Sequence, residues 1–360
     1  MKFEDKLKSM TQEEIWQEYC GFLDLSIDQY MQIQHRLLAE QIELLSSCPL
    51  GKRLFGGQEI KGTEDFRRLV PLTTYDDYAD VLLLKKEDML PAKPQVWLKT
   101  TWEGGSRPDK VAPYSQAMLD TYKTNIIAAM ILSTSPCKGR FHVIPGARVL
   151  YALAPMPYAT GLFPGLIDSE MTLHFLPSIK EARTLSFSQQ TKRGFELSLK
   201  YGMDMFFGMS SILLGISRKV ADMASGGPGK KAGSMLNISP GMLFKILSAR
   251  YRSRRDGQPV MPKDIFDLHG FVCVGTDTSL YKDELEALWG CRPPEGQSPR
   301  ALGPRPGAKT ALYSSPTTAF TSSSPNPKCC AASTIRHMCQ RHILWTSWRP
   351  GCAMSWSLPS

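Results

Sequence analysis

The sequence predicts an α/β fold built around a largely parallel sheet. Short apolar runs bounded by Gly, Pro, Ser and Asp read as buried strands, and they alternate along the chain with segments of helical period. That alternation favours parallel strands joined by crossover helices that flank the sheet. With 360 residues and 42% hydrophobic content, the chain can build one large core or two smaller ones.

Residues 3–47 read as helical, since Trp16, Tyr19, Leu23, Ile27, Tyr30 and Leu37 recur at helical spacing with charges between them. Residues 62–90 read as short helices, one ending near Pro71 and one running from Tyr75 to Leu84. Val96-Trp97-Leu98 is a short strand that enters a Gly-rich loop, and a helix follows from Ser115 to about Leu132. Residues 148–153 and 173–176 are strands, the second shorter than the first. An amphipathic helix over 189–203 precedes the strand Met205-Phe206-Phe207, and a helix over 211–223 follows it. Gly226-Gly227-Pro228-Gly229 interrupts the chain. A helix from Gly241 to Arg252 comes next, then the strand Phe271 to Val274 and a loop, Gly275-Thr276-Asp277-Thr278. The last predicted helix begins at Asp283.

Composition narrows the function classes. The start, MKFEDKLKSM, carries no apolar segment of the kind a secretory signal needs, and no run approaches a membrane span. Nine scattered cysteines without CxxC or Cys/His metal spacing fit reduced thiols and a cytoplasmic protein. The net charge of +9 resembles a nucleic-acid footprint, but its distribution argues against one. Every Asp and Glu lies at or before Glu295, and the last 60 residues hold six Arg/Lys and no acid. The remainder, 37 basic against 34 acidic residues, is ordinary, and no nucleic-acid partner is expected.

The stretch most directly suggestive of chemistry is TTWEGGSRPDKVAPYS, Thr100 to Ser115. Paired glycines let backbone N–H groups approach an anion. Hydroxyls donate to phosphate oxygens, and a lysine adds a point charge. The candidate phosphate-binding residues are Thr100, Thr101, Gly104, Gly105, Ser106 and Lys110. The spacing is neither that of a Walker loop nor GxGxxG, so on its own the stretch fits a phosphate loop and a plain polar turn alike.

The order of the pieces carries more. FRRLVPLTTYDDYADVL precedes the Gly-rich loop, and FVCVGTDTSLYKDELEALWG followed by RPPEG comes much later. Over roughly residues 1–296 this resembles the Gretchen Hagen auxin-responsive family of acyl acid–amido synthetases, in the adenylate-forming superfamily. Pro71, Tyr75 and Asp76 are the counterparts of the Pro, Tyr and acidic residue of a family motif before the loop, and Lys110 and Pro113 match the "K-x-x-P" that closes it. The resemblance implies an adenylate-forming large domain and activation of a small carboxylic acid by ATP and Mg²⁺. Transfer to an amine or amino acid would follow. A phenylacetate-type acyl-CoA ligase on a similar fold, or a non-catalytic fragment, are the rival readings. The resemblance also implies that Val274, Gly275, Thr276 and Asp277 pack on adenine or the acyl group, where the bland alternative is a βα turn. Tyr151, Met156 and Tyr158 are candidates for an acyl pocket or for core. Arg250, Arg252, Arg254 and Arg255 are candidates for a phosphate contact or for a solvated helix end. His142, His174 and His269 stand apart in sequence and receive no role. This chain departs from the family's compact loop by placing Trp102 and Glu103 between the threonines and the glycines, and a carboxylate there repels phosphate.

After Gly296 the composition changes abruptly: acids vanish, and Pro, Ser, Ala, Arg and Trp dominate. A disordered basic tail is one reading. A shifted reading frame is the other. Joining the third base of each codon to the first two of the next makes the stretch around Pro316 to Ser333 compatible with PDNCFYEFIPEPEVLRS. Ile343 to Pro359 becomes compatible with TLDELEAGVRYELVLT. Both recovered strings alternate like strands, and they resemble segments of the amido synthetase family. The expected organisation is therefore an incomplete adenylate-forming domain over 1–296 and an out-of-frame tail over 297–360, with impaired turnover.

Overall fold

The first ninety residues are helical because apolar residues share one face and side chains cap the starts. α1 (Phe3–Ser9) and α2 (Gln12–Cys20) meet at Thr11, whose hydroxyl oxygen accepts from the Glu14 N–H while the Glu14 carboxylate accepts from the Thr11 N–H. Ser26 and Gln29 repeat this reciprocal cap at the start of α3 (Ile27–Ser46). The stretch that reads as helical throughout is thus three helices, divided where a hydroxyl competes for backbone donors. The computed structural model describes residues 1–100, 110–224, 238–274, 278–291 and 295–296. The short α4 (Pro49–Leu54), α5 (Thr63–Leu69) and α6 (Ala79–Leu83) pack with α3 around Ile42, Leu50, Tyr75, Val81 and Leu82.

β1 (Val96–Thr100) and β2 (Lys110–Tyr114) pair antiparallel, with Thr100 opposite Lys110 and Val96 opposite Tyr114. Here the expected path of strand, loop and helix is corrected: a second strand intervenes before α7 (Gln116–Ser133), which Ser115 caps. A proline inside KVAPY hides the strand from a pattern reading. The ribbon tolerates it because Lys99 and its partner Val111 turn their main-chain groups outward. Two residues on, the Trp97–Pro113 pair does the same, so the N–H that Pro113 lacks has no partner to serve.

The rest of the described chain is βα repetition. β3 (Arg148–Ala152), α8 (Phe163–Asp168), β4 (His174–Leu176), α9 (Ile179–Ala182) and α10 (Phe187–Tyr201) come first. β5 (Met205–Gly208), α11 (Ser210–Ala224), α12 (Pro240–Asp256), β6 (Gly270–Val274), α13 (Thr278–Trp289) and β7 (Glu295–Gly296) follow. The strand order is β4-β3-β5-β6-β7, and each adjacent pair is parallel. The fold is α/β with a parallel sheet flanked by helices, as the alternation predicts. α13 starts five residues earlier than the sequence suggests, at a buried threonine.

Side-chain alternation explains why the strands read as unbroken apolar runs. Val149, Tyr151, Met205, Phe207 and Val272 enter one core with residues of α2, α7 and α8. Leu150, Ala152, Phe206, Phe271 and Cys273 enter the other, with residues of α10 to α13. Period-two alternation on a sheet covered on both faces leaves no polar positions between the apolar ones.

Candidate functional site

The ribbon is anchored along both edges. On one side the Lys99 N–H donates to the Pro157 carbonyl at 2.8 Å, and Lys99 bridges to Tyr158. This ties β1 to the loop that leaves the carboxyl end of β3. On the other side the Tyr75 hydroxyl accepts from the Val111 N–H at 2.8 Å and lies 3.1 Å from the Val111 carbonyl, to which it donates. The Lys110 ammonium stands 5.8 Å from the centre of the Tyr75 ring. Thus two sequence motifs behind the family resemblance meet at the mouth of the loop, through Tyr75 and Val111, which lie 36 residues apart. Tyr75 itself is held by a 3₁₀ turn, Tyr75–Asp77, closed by Thr74 N–H donating to the Asp77 carboxylate at 2.6 Å. Arg53 braces that turn by donating to the Asp77 carbonyl and to the Asp80 carboxylate.

Several strands deliver their following loops to this same edge. β5 ends at Gly208, where a Cβ would lie 2.9 Å from the Ala152 carbonyl oxygen and 2.4 Å from the tip of Phe206; only glycine lets the sheet close there. Directly after it, Ser210 opens α11, and its hydroxyl meets that of Thr278, the first residue of α13, at 2.6 Å; both are buried. This contact joins the starts of the helices that follow the adjacent strands β5 and β6. Gln190 on α10, fully buried, donates to the carbonyls of Tyr151 and Leu153 and so braces the end of β3. The loop beyond β3 is tight at Gly161, whose Cβ would fall 2.2 Å from the Met156 nitrogen. In an open parallel sheet, the carboxyl edge is where ligands bind.

Of the residues singled out in the sequence, Thr100 and Lys110 are register partners at the loop's mouth. Thr101, Gly104, Gly105 and Ser106 lie outside the described residues, as do Trp102 and Glu103. Val274 is the last residue of β6, two strands from β3 on the same edge, while Gly275, Thr276 and Asp277 lie outside the described residues. Tyr151 is core: it stacks on Phe163, and its hydroxyl donates to the Thr160 carbonyl at 2.7 Å. Met156 is exposed and Tyr158 half-buried beside β1. Arg252 donates to the Asp264 carbonyl and Arg255 pairs with Asp256, as befits a helix end. Ser210, Thr278, Gln190 and Arg53 escape a sequence reading, since nothing local marks a hydroxyl, an amide or an arginine that acts across the fold.

The opposite, amino edge of the sheet is held by charge. Arg148 and Asp204 form a two-pronged ion pair, with contacts of 2.9 and 2.6 Å, and the Arg148 N–H donates to the same carboxylate. Burial pushes the Asp204 carboxyl up, but the hydrogen bonds from Arg148 outweigh it and hold the group below its usual range. His142 and His269, distant in sequence, pack edge-to-face here with ring centres 4.8 Å apart. Among the described residues, no group of three or more His, Cys, Asp or Glu is placed to hold a metal ion. Burial pushes the Cys20 and Cys291 thiols up to about 12, and Tyr114 likewise, so none of these supplies an anionic nucleophile near neutral pH.

These features define an α/β protein with a Gly-rich hairpin at the carboxyl edge of a parallel sheet. Residues 21–151 match the family model described as the GH3 family N-terminal domain, which bears out the resemblance to the Gretchen Hagen family over that part of the chain. The match spans Tyr75 and the ribbon and ends within β3. Among solved structures, the chain is similar to AtGH3.15 acyl acid amido synthetase in complex with 2,4-DB, at 15% identity and a TM-score of 0.47. That likeness covers 74% of this chain and 52% of the other, so the chain spans about half the length of the solved protein. Among curated proteins there is no match. No helix among the described residues is long and apolar enough to cross a membrane.

Proposed function

We propose that residues 1–296 form the adenylate-forming domain of an ATP-dependent acid–amino acid ligase. The observation that supports this most is the GH3 N-terminal domain match over residues 21–151, which contains both the Gly-rich loop and the tyrosine that grips its base. In the proposed reaction, a substrate carboxylate oxygen attacks the α-phosphorus of ATP, and the bond to the β-phosphate bridging oxygen breaks, releasing pyrophosphate. An amino-acid nitrogen then attacks the acyl carbon. The bond to AMP breaks, and the nitrogen's proton passes to solvent. Such chemistry asks the protein for positioning and charge neutralisation more than for a nucleophile. Lys110 opposes the phosphate charge. Thr100, Thr101 and Ser106 donate hydroxyl hydrogens, and the Gly104 and Gly105 amides complete the cradle. Val274, Gly275, Thr276 and Asp277 contact adenine or the acyl group. Magnesium enters this reading as the counter-ion of the nucleotide, with no protein ligand assigned.

The reading takes residues 297–360 as the product of a shifted frame, and it expects this chain to turn over more slowly than a protein restored to the other frame. Nucleotide sequence across codons 290–315 tests that part: an uninterrupted frame overturns it. Pyrophosphate exchange by the frame-restored protein, across a panel of carboxylic acids, tests the chemistry. The expected result is acid-dependent exchange, falling at least tenfold in Lys110→Ala. Amide formation with an amino acid, in preference to thioester formation with coenzyme A, separates the ligase from the acyl-CoA reading. No exchange with any acid sinks the proposal.

A further inference from the structure

We infer that Tyr75 is a positioning residue for the phosphate site: it sets where Lys110 stands at the base of the loop. The inference rests on the reading of that loop as a nucleotide site. Three observations carry it. First, one hydroxyl serves both main-chain groups of Val111, accepting from its N–H at 2.8 Å and donating to its carbonyl at 3.1 Å. A two-stranded ribbon is marginal in water, and its outward main-chain groups need partners. Tyr75 acts as a one-residue substitute for the next strand, at the position directly after Lys110. Second, the Tyr75 ring lies 5.8 Å from the Lys110 ammonium, so the same side chain touches the charge and the backbone that carries it. Third, Tyr75 is buried and is backed edge-to-face by Tyr78 at 5.6 Å, on a turn closed by Thr74 and Asp77 and braced by Arg53. The clamp is therefore fixed to the helical part of the molecule and not to the ribbon it grips.

The opposite edge explains why this clamp matters. Lys99 is tied to the loop after β3 through Pro157. Thr100 and Lys110 face each other across the ribbon, and the ribbon that carries both is anchored from the sheet side through Lys99 and from the helical side through Val111. A change at Tyr75 removes the anchor on the Lys110 strand and leaves the Lys99 anchor in place.

The test uses Tyr75→Phe, which keeps the ring and removes the hydroxyl, together with Lys110→Ala and the double variant. ATP is the probe, with the full chain studied by titration calorimetry and by amide hydrogen exchange. The expected result is a roughly tenfold loss of ATP affinity in Tyr75→Phe, at an unchanged unfolding midpoint. The double variant should bind no more weakly than Lys110→Ala alone, because both changes act through one group. Additive losses, or an unchanged affinity in Tyr75→Phe, overturn the inference. Exchange at the Val111 amide gives a readout that needs no ligand: it should accelerate at least tenfold in Tyr75→Phe while the α7 amides keep their rates. If the unaltered chain binds no ATP, the phosphate-loop reading fails by itself, and Val111 exchange still decides the clamp: unaltered protection there overturns it.

Discussion

The ribbon β1–β2 and the five-stranded sheet are both β structure, yet different forces hold them. The sheet lies between two apolar cores, and its central strand β5 is buried along its whole length. Among the described residues, the ribbon buries only Leu98, Ala112 and Tyr114, packed with Ala159. Its place depends instead on individual hydrogen bonds at its two edges, from Tyr75 and to Pro157. A frame stabilised by burial is stiff and insensitive to any one polar contact. A loop carrier stabilised by a few directed bonds can be adjusted or loosened without unfolding the frame. The part proposed to hold phosphate is the part with the smaller core.

Substitutions can sharpen that contrast, beginning with the largest expected effect. Phe206→Ala removes a fully buried ring from the centre of β5 and should cost about 3–5 kcal/mol in chemical denaturation. A loss under about 1 kcal/mol would contradict the assignment of β5 as the central strand of the core. Asp204→Ala breaks the ion pair at the amino edge and leaves a half-exposed Arg148 unmatched, for an expected cost of about 2 kcal/mol at pH 7. The sign of its pH dependence follows from the depressed Asp204 pKa. Its stabilisation is fully present above the ordinary carboxyl value of 3.8 and is lost as pH falls through the lower folded value. The gap between the parent and Asp204→Ala should therefore close in acid; a gap that persists well below pH 3.8 would show that the pair does not titrate as described. Smallest is Ser210→Ala, which removes one partner of the Ser210–Thr278 contact at the carboxyl edge and should cost about 1 kcal/mol. Equilibrium unfolding measures it, and no change would mean that the two helix starts are held by packing alone.

Much of the frame was legible because burial leaves a pattern in the chain. Met205-Phe206-Phe207 and Phe271 to Val274 announce themselves as buried strands by apolar composition alone, and Ser115 marks the start of α7 as a cap. The second strand of the ribbon was not legible. Its residues are half polar and interrupted by Pro113, and only the outward turn of its main chain toward Tyr75 makes the proline acceptable. Of the candidate site, Lys110 and Thr100 were visible as residue types, and the structure makes them neighbours across the ribbon. Tyr75 was visible through its family motif, but its partner Val111 was not. Tyr151 reads as pocket wall or core and is core, because its phenol donates to the Thr160 carbonyl inside the fold.

By itself, then, the sequence determined the fold class and the alternation of apolar strands with helices that builds the parallel sheet, since these follow from periodicity, caps and residue type. Tertiary structure alone decided which strands became neighbours, that the loop springs from a ribbon and not from the sheet, and that Tyr75 stands against Val111 and Lys110. Those outcomes depend on main-chain groups finding partners across long sequence separations, and a main-chain N–H or C=O is the same at every position until the fold chooses what faces it.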